Sequence, residues 1–188
     1  MAAVRWMRPL NPPPDFPPCV AAARYAGVLR RVLLCQKDRP RRYLVHCLAP
    51  VLRIGLAAAL SATLAGRAGV ALVPIPTAMS ARRRRGGDHL LPLLRAACGG
   101  HRGAWPPVLR VLRARERSAD SVGLSATARR NNVHGAFAVR RSAACGRGHS
   151  VVLVDDVVAS GATLAEAARV LRGANYHVLG AVVLAGVD

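Results

Sequence analysis

Lysine is almost missing from this chain. Lys37 is the one lysine among 188 residues, and the other 27 basic side chains are arginines. A Walker A phosphate loop needs Gly-Lys-Ser/Thr, whereas Lys37 sits in Cys35-Gln-Lys-Asp-Arg39, so that class of nucleotide site is excluded. A Schiff-base enzyme would have a single candidate nucleophile. Carboxylates are scarce too: 9 stand against 28 basic residues, a formal charge of +19. Aromatic residues make up 4%, too few for a base-stacking surface. The five cysteines are scattered, odd in number and never spaced Cys-x-x-Cys, so neither a zinc knuckle nor a disulfide framework is readable. Pro9, Pro12, Pro13, Pro14, Pro17 and Pro18 stand where a signal peptide would carry its apolar core, and a cytoplasmic location is expected. The longest apolar run, Leu44 to Leu64, is broken by Arg53, with His46 and Pro50 nearby. An arginine at a bilayer centre is costly, so a helix packed in a globular core is expected there rather than a membrane span.

What is present is a domain-sized apolar chain, 52% hydrophobic and 20% charged. A single domain of this length buries roughly 70% of its unfolded surface. The charge is uneven. Residues 1–150 hold 26 basic and 5 acidic side chains, and residues 151–188 hold 2 and 4. The organisation reads as a flexible Pro-rich leader over residues 1–20 and one domain over 21–188. Helices are predicted near 24–36, 42–65 and 88–98. Val70-Ala-Leu-Val-Pro-Ile-Pro76 suits a strand closed by a tight turn, and Arg82 to Gly87 a basic loop. Val151-Val-Leu-Val154 is a β-branched run typical of a strand buried on both faces. A helix over Thr163 to Arg172 and a strand over Val178 to Leu184 complete a right-handed βαβ unit, hence an α/β fold with a parallel sheet.

The sharpest feature is the string from Val151 to Leu164, with Asp155-Asp156 at the end of the strand and Ala159-Ser-Gly-Ala-Thr163 leading into the helix. Ligands bind outside the carboxyl ends of strands in an open parallel sheet. Small residues let backbone N–H groups close on an anion, and a helix N-terminus adds positive potential. Neighbouring side chains on a strand point to opposite faces, so Asp155 and Asp156 are expected to act separately, as acceptors for sugar hydroxyls. A sugar phosphate fits such a site. The simpler alternative is a capping box, Thr163-Leu-Ala-Glu166, that does no more than start a helix.

This segment resembles the phosphoribosyl-diphosphate (PRPP) motif of type I phosphoribosyltransferases. Tyr25-Ala-Gly27, Lys37, Val73-Pro-Ile-Pro76, Arg82 to Gly87, Asp120-Ser-Val-Gly-Leu124, Arg129 and Asn132 make residues 24–186 similar to the ComF family, the competence-associated members of that superfamily. The resemblance implies a type I phosphoribosyltransferase-like fold, a mostly parallel twisted sheet flanked by helices. It implies that Asp155 and Asp156 are the catalytic acids that bind the ribose hydroxyls. Ala159, Ser160, Gly161, Ala162 and Thr163 would hold the 5′-phosphate. Pro74, Ile75 and Pro76 would open a pyrophosphate loop with Arg82, Arg83, Arg84 and Arg85, while Arg113, Arg115 and Arg117 would belong to a flexible loop. Mg²⁺ would arrive with the pyrophosphate rather than on protein ligands.

Three departures from the family pattern stand out. Ala159 replaces a frequent Thr, Ser121 a frequent Gln, and Cys19 alone remains where relatives carry a Cys-rich segment. The implied activity is transfer of ribose-5-phosphate to an acceptor that the sequence does not identify. A PRPP-sensing or nucleic-acid-binding module using the arginine-rich face is the other reading. DNA and a second copy of the chain are expected partners, and a membrane is not. His89, His101, His134 and His149 lack ligand spacing and are expected at the surface or in loops, and Trp105 as a packing anchor.

Overall fold

The computed structural model describes residues 4–38, 42–63, 69–77, 87–99, 105–115, 133–140 and 148–187. Within them, strands β1 (Arg5–Met7), β2 (Cys19–Arg24), β3 (Val70–Pro74), β6 (Ser150–Val158) and β7 (His177–Gly186) form the main sheet. Strands β4 (Leu112–Ala114) and β5 (Phe137–Val139) form a separate antiparallel ribbon. The helices are α1 (Gly27–Asp38), α2 (Arg42–Thr63), α3 (Leu90–Cys98) and α4 (Ala162–Gly173). The sheet order is β1-β2-β7-β6-β3, parallel throughout except for β1 at the edge.

The central strands explain the apolar runs. Val151, Leu153, Val182, Val183 and Leu184 are all fully buried, since helices cover both faces. The chain first crosses from β2 to β3 and later returns from β6 to β7. Right-handed crossovers therefore put α2 and α4 on opposite faces. α2 packs on β2 and β7 and alongside α3, while α4 packs on β5, β6 and β7. The outer edge of β3 is covered by the chain at 107–109: Leu72 donates its N–H to Pro107 and accepts from Leu109, each at 2.8 Å.

Tyr43–Ala62 within α2 is long and apolar enough to cross a membrane. In the fold it lays Leu48, Leu52, Leu56 and Leu60 on the core, each burial stabilising by about 2 kcal/mol. Arg53, the residue that interrupts the apolar run, donates to the carbonyls of Ala97 (2.7 Å), Ala96 (3.3 Å) and Gly99 (2.7 Å). It thus satisfies the open carbonyl end of α3, where a cation is favoured.

Several expectations need correction. Residues 5–7 of the leader are paired antiparallel with β2, and Asp15 forms an ion pair with Arg172 at 3.1 Å. The described part of the leader is thus folded onto the domain, and position 20 falls inside β2. The first helix begins at Gly27, because the preceding Cys19-Val-Ala-Ala-Ala-Arg24 is taken up as a buried strand. β6 runs on to Val158, so the acidic pair lies inside the strand rather than at its end.

Candidate functional site

The carboxyl ends of β6, β7 and β2 lie side by side, with Val158 paired to Gly186 and Gly186 also next to Arg24. Loop Ala159–Gly161 leaves this edge and enters α4. Gly161 caps the helix with φ +75°, a left-handed conformation natural to glycine. A side chain there would also meet the Phe16 ring at 2.6 Å and Pro9 at 3.1 Å, so the leader is seated directly against the loop. Ala159 and Ser160 are exposed, Thr163 is half-buried, and Gly161 and Ala162 are buried. The first-turn N–H groups of a helix lack partners within it, and α4 has no acidic residue there to oppose an anion.

The capping-box alternative fails on geometry. Thr163 lies inside α4 and does not cap it, the N-cap Gly161 has no side chain, the Ala162 N–H donates to Ser160 Oγ at 3.4 Å, and Glu166 is engaged elsewhere. Its buried carboxylate accepts from Gly135 N–H (2.7 Å), from Arg169 Nε (2.8 Å) and from Arg169 Nη2 (2.9 Å), with His134 Nδ1 at 3.6 Å. Burial alone would raise its pKa. The Arg169 and Gly135 hydrogen bonds, with the charges of Arg169 and His134, outweigh that and hold it below the ordinary 4.5.

The two aspartates part company, as neighbours on a strand must. Asp155 is half-buried, and its Oδ1 accepts from Asp156 N–H at 2.8 Å. Asp156 is 6% exposed, and its Oδ2 accepts from His89 Nε2 at 2.6 Å. His89 lies in the loop directly before α3 but is buried there rather than at the surface, and its Nδ1 has no partner among the described residues. Sequence reasoning missed this pair because 67 positions separate its members. The available signal was Asp88-His89 directly ahead of an apolar helix. Asp88 Oδ1 accepts from Leu90 and Leu91 N–H (3.1 and 3.3 Å), which fixes the start of α3.

The remaining expected site residues are more dispersed. Pro74 ends β3 and Ile75 is buried, its N–H donating to Val154 at 2.9 Å; Pro76 is half-buried. Arg113 lies on β4 and Arg115 just after it, both exposed, so these two belong to a paired ribbon and its end rather than to a flexible loop. Arg115 N–H donates to Ala136 at 2.8 Å. Arg82, Arg83, Arg84, Arg85 and Arg117 lie outside the described residues, as do Asp120 to Leu124, Arg129, Asn132 and His101. Trp105 is half-buried against the core, as a packing anchor should be.

Residues 107–187 match the phosphoribosyl transferase domain. The matched stretch holds the β4–β5 ribbon, β6, the Ala159–Gly161 loop, α4 and β7. No curated protein matches the chain. Together with the mostly parallel sheet, the match gives the molecule a type I phosphoribosyltransferase-like fold. A phosphoribosyl transferase domain supports phosphoribosyl transfer as the general chemistry and implies a PRPP-like substrate. Such enzymes generally use Mg²⁺. Among the described residues, no group of three or more His, Cys, Asp and Glu side chains is gathered for a metal. Mg²⁺ is content with one or two carboxylates plus phosphate oxygens and water, and half-buried Asp155, near the end of β6, is a donor of that kind.

Proposed function

We propose that the protein binds PRPP and transfers its ribose-5-phosphate to an acceptor, releasing pyrophosphate. The observation that carries this reading is the sequence of parts along β6 and α4: half-buried Asp155 near the end of β6, a short small-residue loop, and a helix N-terminus beyond Gly161 with no acid in its first turn. Loop amides from Ala159 to Thr163, with the Ser160 and Thr163 hydroxyls, hold the 5′-phosphate. Asp155 and Asp156 serve the ribose, Asp155 at the ligand and Asp156 from its buried position. Cleaving the bond from C1 to pyrophosphate places negative charge on the leaving oxygen and positive charge on the ring. By the family resemblance Arg82, Arg83, Arg84 and Arg85 would balance the first, and the Asp155 carboxylate the second. Mg²⁺ bound with the substrate supplies further charge neutralisation at the pyrophosphate.

The likeness of Tyr25-Ala-Gly27, Val73-Pro-Ile-Pro76 and the arginine run to ComF proteins supports a cytoplasmic role tied to DNA uptake. A homodimer goes with the same reading. The excess of arginine favours a second reading, a PRPP-sensing module that works on DNA. Incubation with PRPP, Mg²⁺ and a pool of nucleobases separates the two. Pyrophosphate release with any acceptor supports transfer. Its absence with every acceptor, alongside DNA affinity falling steeply with log salt, supports the module.

A further inference from the structure

We propose that His89 is a positioning residue for the acidic pair, one that holds the Asp156 carboxylate and so ties the start of α3 to β6. The proposal rests on the reading of the site given above. The chain leaves β3 through Ile75, whose N–H donates to the Val154 carbonyl at 2.9 Å. It enters α3 at His89, whose Nε2–H donates to Asp156 Oδ2 at 2.6 Å. Val154 and Asp156 are two positions apart and therefore on one face of β6. β6 thus holds Ile75 through the in-plane ladder bond of its backbone and the start of α3 through the buried Asp156 carboxylate.

A buried carboxylate is costly unless donors are aimed at it. His89 supplies such a donor from a helix start that Asp88 holds in place. Asp155 in turn takes the Asp156 N–H on its own Oδ1 at 2.8 Å. A displaced Asp156 would therefore carry Asp155 with it. His89 acts on ribose binding through this relay without touching the ligand.

Calorimetric titration of Mg²⁺–PRPP into wild type, H89Q, H89A, D156N and H89A/D156N tests the relay. H89A is expected to weaken binding by about tenfold or more, since a buried charged hydrogen bond is lost. Gln retains an N–H donor, so H89Q is expected to recover most of the affinity. The double variant should bind no worse than the weaker single variant, because the two side chains act as one unit. Wild-type binding with H89A unchanged, or losses that add in the double variant, overturns the proposal alone. A wild type that fails to bind overturns the reading of the site and the proposal with it. Should H89A not fold, the ¹⁵N spectrum of histidine-labelled wild type decides. A solvent-protected Nε2–H that disappears in D156N is expected, and its absence overturns the proposal.

Discussion

Gly161 is the position where a single methyl group should be felt most. Its φ of +75° strains any L side chain, and the added carbon would lie 2.6 Å from the Phe16 ring. Gly161→Ala is expected to cost about 2 kcal/mol in urea denaturation, mostly from the left-handed backbone with some overpacking. Cysteine chemistry offers a second check. Burial, followed by the charge of Asp155, pushes the Cys19 thiol up to about 12, whereas Cys35 and Cys47 are exposed. Iodoacetamide at neutral pH should label Cys35 and Cys47 and leave Cys19 untouched in peptide mass spectra. Asp155, Gly161 and the loop between them were legible because a run of small residues after paired acids has a direct chemical meaning. His89 was not, because its partner comes from a distant strand and nothing local marks it.

Glu166 links elements rather than residues. It holds the Val133–Gly135 turn against α4 and pairs with Arg169 one turn further along the same helix. Its folded pKa lies below the ordinary value, so its contribution is present above about pH 4.5 and is lost as pH falls through that lower value. Glu166→Gln is therefore expected to cost about 1 kcal/mol at pH 7, kept small because Arg169 is nearly half exposed. That deficit should shrink on acidification, as denaturation midpoints between pH 7 and 3 would show. The folded leader predicts another loss: deleting residues 1–8 removes β1 and the Met7 side chain packed on Gly186, and should lower the melting temperature by several degrees. β6, α4 and β7 could be read from their patterns. β2 could not, since Ala21-Ala-Ala23 has weak strand preference on its own. Its alanines answer to α2, where Gly55 comes so close that a Cβ would lie 2.8 Å from that of Ala22. That close approach is tertiary and leaves no local mark in the sequence.

At the scale of the molecule, the charge break at residue 150 takes on a definite form. The acids of the C-terminal part include Asp156 and Glu166, both buried and each held by a basic partner. They stabilise a site and give the surface little negative field, which leaves the arginines to set the exterior. The parallel sheet directs its strand ends, the Ala159–Gly161 loop and half-buried Asp155 to one edge, and that edge is where the proposed PRPP site lies. The most direct measurement is the melting temperature with millimolar PRPP and Mg²⁺. A rise in wild type is expected through ligand linkage, and Asp155→Asn combined with Asp156→Asn should abolish it. A wild type whose melting temperature does not move, or a double variant that rises as much as wild type, would contradict the account.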